Sequence, residues 1–413
     1  MERAKLILKP KEDLRIRGGH PWIYDNEIAR IEGEAAPGAE VDIIDARGVP
    51  VGTALYNPQS KIRARLYSRK SRSADRAFFL EKIGHAIEWR RRFFNLEKES
   101  ARLVFAEADG IPGLIIDSFA DGRAEPSAGS APKRWLSVQF LSLGIYQRRE
   151  LILSALGELF PCAGVIEKDD APVLRHEGLE SRVCLLAGEE PHNLVMRENG
   201  LLFGLDLMNG QKTGWFLDQR SNRAAAARYA RDSEGKGRQV LDAFCNAGGF
   251  GLACAAAGAS SVLAVDSSAE AAAAVSANAG LNGLDAQVKA VTANAFDFLR
   301  GLEHEHERFG LIIVDPPAFA KNRASIEGAH RGYKDLNLRA LKLLEPGGIL
   351  VSCSCSFWFG RERFSSMLSE AAADSGRRLR MLEDRTQDLD HPIVSGYPES
   401  RYLKCVIAEA EAL

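Results

Sequence analysis

One stretch constrains the fold more than any other: Val240-Leu241-Asp242-Ala243-Phe244-Cys245-Asn246-Ala247-Gly248-Gly249-Phe250-Gly251. An apolar strand runs from Gln239 to Phe244, meets a glycine turn, and gives way to an alanine-rich helix over 252–257. Glycine lets the backbone turn tightly and approach a ligand, and the start of the next helix offers unpaired N–H groups. A second buried strand, Ser261-Val262-Leu263-Ala264-Val265-Asp266, ends in an acid placed to hold a ribose diol. The spacing is not G-x-G-x-x-G, which separates the turn from a dinucleotide fingerprint. On this stretch alone an ordinary strand–turn–helix without a ligand stays open. Beyond it the rhythm continues, with strands at 239–244, 261–265, 287–291, 310–314 and 348–353 and helices between. That alternation predicts an α/β fold with a doubly wound, mostly parallel, Rossmann-like sheet over 191–413.

Upstream the pattern differs. Residues 1–72 alternate short apolar runs with turns at period two, which predicts a small β-barrel. Within it lies Leu14-Arg15-Ile16-Arg17-Gly18-Gly19-His20-Pro21-Trp22-Ile23-Tyr24, a basic, glycine-bearing and aromatic stretch. Such a stretch can bind phosphates and stack bases, or Trp22 and Tyr24 can simply be core. Residues 73–190 change to helical spacing, then read as strand, strand, helix and strand: a small α+β domain ending in a linker near 187–191. The run Arg90-Arg91-Arg92 on its first helix is expected to be a solvated face. A Gly/Ala/Ser/Pro-rich hairpin tip is expected over 120–133.

Composition narrows the function classes. A charged content of 27% and no run of about eighteen apolar residues exclude a membrane-spanning helix. The opening residues lack the apolar core of a signal peptide. Seven cysteines, with no C-x-x-C pair, fit reduced thiols in the cytoplasm better than a disulfide framework. Residues 1–100 carry 20 Lys and Arg against 15 Asp and Glu, while the remainder carries 34 against 41. The asymmetry allows an RNA-facing first half without requiring one. No metal is expected: His304-Glu305-His306-Glu307 sits in a charged loop with no cysteine partner near it.

The motifs together carry a resemblance. The glycine turn is similar to motif I of class I S-adenosylmethionine-dependent RNA methyltransferases, and Asp315-Pro316-Pro317-Ala318-Phe319, after the fourth strand, to their motif IV. Two prolines fix φ and make a stiff wall for a flat base. Amine methylators carry an aromatic directly after the prolines, and Ala318 intervenes here. Ser352-Cys353-Ser354-Cys355-Ser356 ends the next strand, entered from Glu345-Pro346-Gly347-Gly348. Paired cysteines on a strand are commonly core. A thiol at the strand end beside Asp315 is instead placed as a nucleophile, because pyrimidine C5 is inert until something adds to C6. With Phe216-Leu217-Asp218-Gln219-Arg220 upstream and Gly396-Tyr397-Pro398-Glu399-Ser400-Arg401 in the tail, the order of motifs resembles bacterial large-subunit rRNA cytosine-C5 methyltransferases with PUA, central and catalytic domains.

The resemblance implies three domains: a PUA-like RNA-binding domain at 1–72, a central domain at 73–190 and the methyltransferase domain at 191–413. It implies Cys355 as nucleophile and Asp315 as its catalytic partner. For S-adenosylmethionine it implies Asp218, Arg220, Asp242, Phe244, Asn246, Gly248, Gly249, Asp266, Ser267, Asn294, Asp315 and Pro316. For RNA it implies Arg15, Arg17, His20, Trp22, Lys61, Arg63 and Arg65, with Arg63 and Arg65 on one strand face. Asn294 stands where the family has an acid, and Ala318 and Phe319 where other cytosine-C5 enzymes place a second cysteine. Cys353 is an extra thiol, considered as the base that removes the C5 proton. The partner expected is large-subunit ribosomal RNA, no membrane is involved, and a homodimer is carried as an open expectation. Two rivals stay open: an RNA amine methyltransferase using Asp315 without a thiol, and a non-catalytic RNA-binding assembly factor.

Overall fold

The computed structural model describes residues 2–123, 132–210 and 213–412. Most of the hairpin tip expected over 120–133 lies outside the described residues. The chain divides into two compact units: Met1–Met196 with Leu205–Leu217 and Leu389–Ser400, and Arg197–Gly204 with Asp218–Asp388 and Arg401–Leu413.

The first unit holds two sheets. Strands Ala4–Leu8, Trp22–Tyr24, Ile28–Glu32, Glu40–Ile44, Pro50–Tyr56 and Ile62–Ser68 form a six-stranded sheet, with Trp22–Tyr24 and Ile28–Glu32 at its ends. Only Ala4–Leu8 and Glu40–Ile44 pair in parallel. Alternating residues such as Leu6, Ile23, Val41, Ile43 and Ala64 close its core. The second sheet has five strands, ordered Arg182–Gly188, Gly164–Asp169, Arg134–Phe140, Leu114–Ala120, Ala101–Phe105. Helices Arg76–Arg91 and Arg149–Leu159 bury Phe78, Phe79, Ile83, Ile152 and Leu156 in a common core with its residues.

The two outermost strands of that sheet are missing from the sequence reading. Ala101–Phe105 is buried at most positions, so no period of two marks it, and Arg182–Gly188 is a largely exposed edge that extends into the expected linker. Arg90 also departs from expectation. Arg91 and Arg92 are exposed, but Arg90 is wholly buried, donating to both oxygens of Asp109 at 2.6 and 2.7 Å and to the Asp390 carbonyl at 2.9 Å. A guanidinium tolerates burial where a carboxylate matches its fork.

The second unit is the α/β layer. Its elements are β1 (Gln239–Ala243), α1 (Gly249–Ala256), β2 (Ser261–Asp266), α2 (Ala269–Leu281), β3 (Val288–Thr292), α3 (Ala295–His304), β4 (Phe309–Val314), α4 (Ile326–Leu343), β5 (Leu344–Ser354), α5 (Arg361–Asp374), β6 (Arg377–Arg385) and β7 (Lys404–Ala412). The sheet order is β3-β2-β1-β4-β5-β7-β6, and β7 alone runs against the rest. On one face Tyr333, Leu336, Phe364 and Met367 of α4 and α5 pack the sheet. On the other, α1 and the helix Arg220–Ala227 supply Phe250, Cys254, Ala225 and Ala226.

The last strand of the chain does not lie at the edge of this sheet. β7 is inserted between β5 and β6, and the unanticipated β6 takes the edge. Composition gives the reason. Cys405, Val406, Ile407 and Ala408 are all buried, whereas β6 carries Arg378, Arg380 and Asp384 into solvent. Charge along an outer strand also discourages pairing with another chain. Strand order reverses between β1 and β4, and sheets of this kind take their ligands beyond the strand ends at such a reversal.

Candidate active site at the strand ends

The glycine turn after β1 is held by carboxylates from below. Phe244 and Asn246 both take positive φ, at 64° and 49°, and Gly248 caps α1 in the left-handed region at 86°. Asp242 is buried and accepts the Gly251 amide at 2.8 Å, while its other oxygen meets no hydrogen-bond partner. Burial, with Asp315 nearby, pushes its carboxyl up to about 7. Asp266 accepts the amides of Asn246 and Ser268, each at 3.0 Å, and so fixes the turn to the end of β2. Ser267 beside it is exposed. Asn294 caps α3, its carbonyl oxygen accepting from Phe296 at 3.0 Å, and the residue is exposed.

Asp315 leaves β4 at the reversal point, where its Oδ2 accepts from Gln219 Nε2 at 2.9 Å. Gln219 is in turn oriented by Asn222, which donates to its Oε1 at 2.7 Å. Asp218 accepts from the Tyr402 hydroxyl, and Arg220 lies 3.7 Å from Asp388. Pro316 is buried behind Asp315.

β5 stops at Ser354, so Cys355 leaves the pleat half-buried while Cys353 stays sealed in the core, register-paired with Cys405. Burial and Cys405 push the Cys353 thiol well above its usual value. A base must reach substrate, and Cys353 has no such path.

A knot of hydrogen bonds underlies Cys355. The buried Tyr333 hydroxyl bonds Ser354 Oγ at 3.0 Å and Ser356 Oγ at 2.8 Å, and Ser356 Oγ accepts the Ala320 amide at 3.1 Å. Lys404, opposite Ser354 in the register, is also buried, its Nζ donating to the carbonyls of Ser356 at 2.6 Å and Tyr402 at 2.9 Å. Burial pulls Lys404 down to about 8, and the neighbouring Cys355 acts against that fall. Lys404 thus stays largely charged at neutral pH beside the thiol.

The residues expected to bind RNA separate into two groups. Arg65 is buried, bridging Glu107 at 2.8 Å and Glu177 at 2.9 Å, and Trp22 donates its indole N–H to the same Glu107 at 2.7 Å. His20 is buried against Glu399 and Tyr397. Arg15 pairs with Glu27, and Arg17 with Asp13 and Asp45. Arg63 is half-buried and lies 3.8 Å from Asp25, while Lys61 is exposed. Arg63 and Arg65 share a strand, yet both terminal nitrogens of Arg65 are taken by carboxylates.

A concavity of about 1260 Å³ runs along β3 and α3, reaching back to Gln239, Ser261 and Phe309 at the strand starts. It touches Asn294 and none of the other candidates, so it is not the crevice at the strand ends. Among the described residues no group of three or more His, Cys, Asp or Glu is placed to hold a metal ion.

Comparison with known proteins gives two family matches. A PUA-like domain family matches residues 6–69, and an S-adenosylmethionine-dependent methyltransferase family matches residues 162–396. The ribosomal RNA large subunit methyltransferase I of Tolumonas auensis is 39% identical over 415 residues, covering 99% of this chain and 100% of that one. Its counterpart from Alteromonas mediterranea is 36% identical, covering 98% of each. The chain belongs to the ribosomal RNA large subunit methyltransferase I family. The fold agrees: a Streptococcus mutans chain described as a sam-dependent methyltransferase superposes with a TM-score of 0.82 at 22% identity, covering 98% of this chain and 99% of that one. A methyltransferase complexed with SAH superposes at 0.83, also at 22% identity and with the same coverage.

As a member of an S-adenosylmethionine-dependent methyltransferase family, the chain uses that cofactor, and its turn fits the group. The N-cap Gly248 brings no side chain to the start of α1, where Asp242 takes the Gly251 amide, and the other buried oxygen of Asp242 waits without a partner below. Space at the turn depends on glycine. A Cβ on Gly249 would stand 2.5 Å from Arg223 Nε. Gly249→Ala is therefore expected to displace Arg223, cost about 1–3 kcal/mol and lower the melting temperature in a thermal scan. An unchanged melting curve would show that the turn has slack.

Three side chains that support the candidate site escape sequence reasoning: Gln219, Tyr333 and Lys404. Gln219 sits inside a motif already singled out, but nothing local points it at Asp315, and nothing local points Tyr333 at Ser356. A lysine opening an apolar strand, Lys404-Cys405-Val406-Ile407, was the one usable signal for the third.

Proposed function

We propose that this protein methylates C5 of a cytosine in large-subunit ribosomal RNA, through a covalent bond from Cys355 Sγ to C6 of the base. The observation that carries the reading is the half-buried Cys355 thiol at the end of β5, backed by the buried Lys404 ammonium and one strand from Asp315. A duplex or stacked base cannot reach this crevice, so the target nucleotide is extruded into it. The Cys355 thiolate adds to C6 while the Asp315 carboxyl hydrogen-bonds N3 and stabilises the resulting enamine. Bound S-adenosylmethionine supplies the electrophilic methyl group for C5. Gly248 and Gly249 hold its methionyl part, Asp266 its ribose, and Asp218, Arg220, Asp242, Phe244, Asn246, Ser267, Asn294 and Pro316 complete its surroundings. Loss of the C5 proton then expels Cys355.

Residues 1–72 act as the RNA-binding domain, 73–190 as a central spacer and 191–413 as the catalytic domain. In the first, Lys61 with Arg15, Arg17 and Arg63 supplies the phosphate contacts, while His20, Trp22 and Arg65 shape the surface that presents them. The reading places the protein in the cytoplasm, where it works on ribosomal RNA, as a homodimer that sedimentation velocity can check.

The direct test is release of tritium from C5-labelled cytosine in large-subunit rRNA incubated with the wild-type protein and S-adenosylmethionine. Methyl incorporation without tritium release would move the chemistry to another atom. Gln219→Leu tests the support of Asp315. It is expected to lower kcat by up to about 100-fold, the scale of a misplaced catalytic group, with the S-adenosylmethionine Kd by calorimetry little changed.

A further inference from the structure

Two residues beyond the nucleophile's own bonds, the chain breaks a local rule. Phe359 donates its amide to the Ser356 carbonyl at 3.2 Å, closing a four-residue turn with Phe357 and Trp358 as its central pair. Such positions ordinarily take Pro, Gly, Asn, Asp or Ser. Here they hold two large aromatics, 41% and 43% exposed. The turn's ends are fixed: Ser356 is buried and tied to Tyr333 and Ala320, and Phe359 is buried against the Tyr333 ring at 5.1 Å. The two rings meet edge to face, 5.5 Å apart at 75°. They are presented outward by an anchored turn, and their apolar faces are left in water at an energetic cost that folding alone does not recover.

The surroundings say what covers them. The Ala320 amide bonds Ser356, so Lys321 and Phe357 leave the same knot. Lys321 and Arg331 line a cavity of about 610 Å³ against Pro317 and Phe319, and neither forms an ion pair among the described residues. An exposed aromatic pair with unpaired cations alongside matches a polyanion whose units each offer a flat π face. Extruding one nucleotide leaves a gap in the RNA stack, and apolar wedges are the usual means of filling one.

We infer that Phe357 and Trp358 stack on the RNA bases flanking the target and fill the space it vacates, with Lys321 and Arg331 on the adjoining phosphates. This rests on the RNA-methylation reading. The experiment compares the full-length wild type with Phe357→Ser/Trp358→Ser, Trp358→Ser and Trp358→Phe, on protein-free large-subunit rRNA with tritiated S-adenosylmethionine. The double variant is expected to lose about 100-fold in kcat/KM for RNA, the loss of stacking on two bases. Its S-adenosylmethionine Kd by calorimetry stays within about twofold, since only RNA contacts are removed. Trp358→Phe keeps a π face and is expected to stay within about threefold of wild type while Trp358→Ser falls about tenfold. Equal losses for Trp358→Phe and Trp358→Ser overturn the stacking role. Wild-type methylation by the double variant also overturns it, and a monomer replacing a dimer in sedimentation velocity would then assign the pair to self-association. Absence of methyl transfer by the wild type overturns the underlying reading together with this one.

Discussion

Replacing Cys355 by alanine will abolish methyl transfer to rRNA, by at least about 10⁴-fold, the scale on which removal of a nucleophile acts. Nothing else in the crevice can add to C6: Cys353 is sealed in the core and Cys245 is buried with its thiol pushed up. Binding of S-adenosylmethionine should persist, because the glycine turn and Asp266 are untouched. The melting temperature should move little, because Cys355 is half-buried and leaves no large void. Calorimetry and a thermal scan on the same preparation separate lost chemistry from lost folding. The two rivals diverge here. An amine methylator would keep its activity without the thiol, and an assembly factor would show none to lose.

Lys404→Met is expected to act on the nucleophile rather than replace it. An ammonium beside Cys355 favours thiolate over thiol, so its removal should slow methyl transfer about 10- to 100-fold at neutral pH, the effect of a near charge worth one to two pKa units. The groups facing Lys404 electrostatically are Cys355 and Arg361, and its hydrogen bonds go to backbone carbonyls. Alkylation of Cys355 by iodoacetamide, followed on its own peptide by mass spectrometry, should move to higher pH in the variant. An unshifted profile would mean that the charge at Lys404 serves packing alone.

Stability gives an independent sign. Burial lowers Lys404 from 10.5 to about 8, so between those values the unfolded chain binds more protons than the folded one. The Lys404 contribution to wild-type stability therefore rises with pH across that window, by on the order of 3 kcal/mol, and its burial penalty is fully present below it. Lys404→Met has no such slope. Wild type should gain on it in denaturant melts as pH goes from 8 to about 10.5, and a constant difference would place the titration elsewhere.

The legibility of this protein follows contact range. The glycine turn, Asp315-Pro316-Pro317 and Cys355 could be read directly because each depends on neighbours within a few residues: a strand, a turn, a helix start. The β-α alternation likewise reports the sheet, since a parallel strand needs a crossover before it. Arg65 misled for a physical reason. Its place on a strand face is local, but the two carboxylates that bury it come from Glu107 and Glu177, far along the chain. β6 was invisible because an exposed, charged edge strand lacks both alternation and apolar content.

What the amino-acid order settles by itself is the type of sheet, and it nominates the atoms proposed to react at the ends of its strands. Tertiary structure alone decides how those atoms are supported. The Gln219 amide reaches Asp315, the Tyr333 hydroxyl gathers Ser354 and Ser356, and an inserted final strand brings Lys404 beside Cys355. Each of these contacts spans between 21 and 96 residues of chain where a hydrogen bond is recorded. No local pattern encodes such partners. They follow from which strands lie side by side, and that is fixed by burial of apolar faces rather than by any motif.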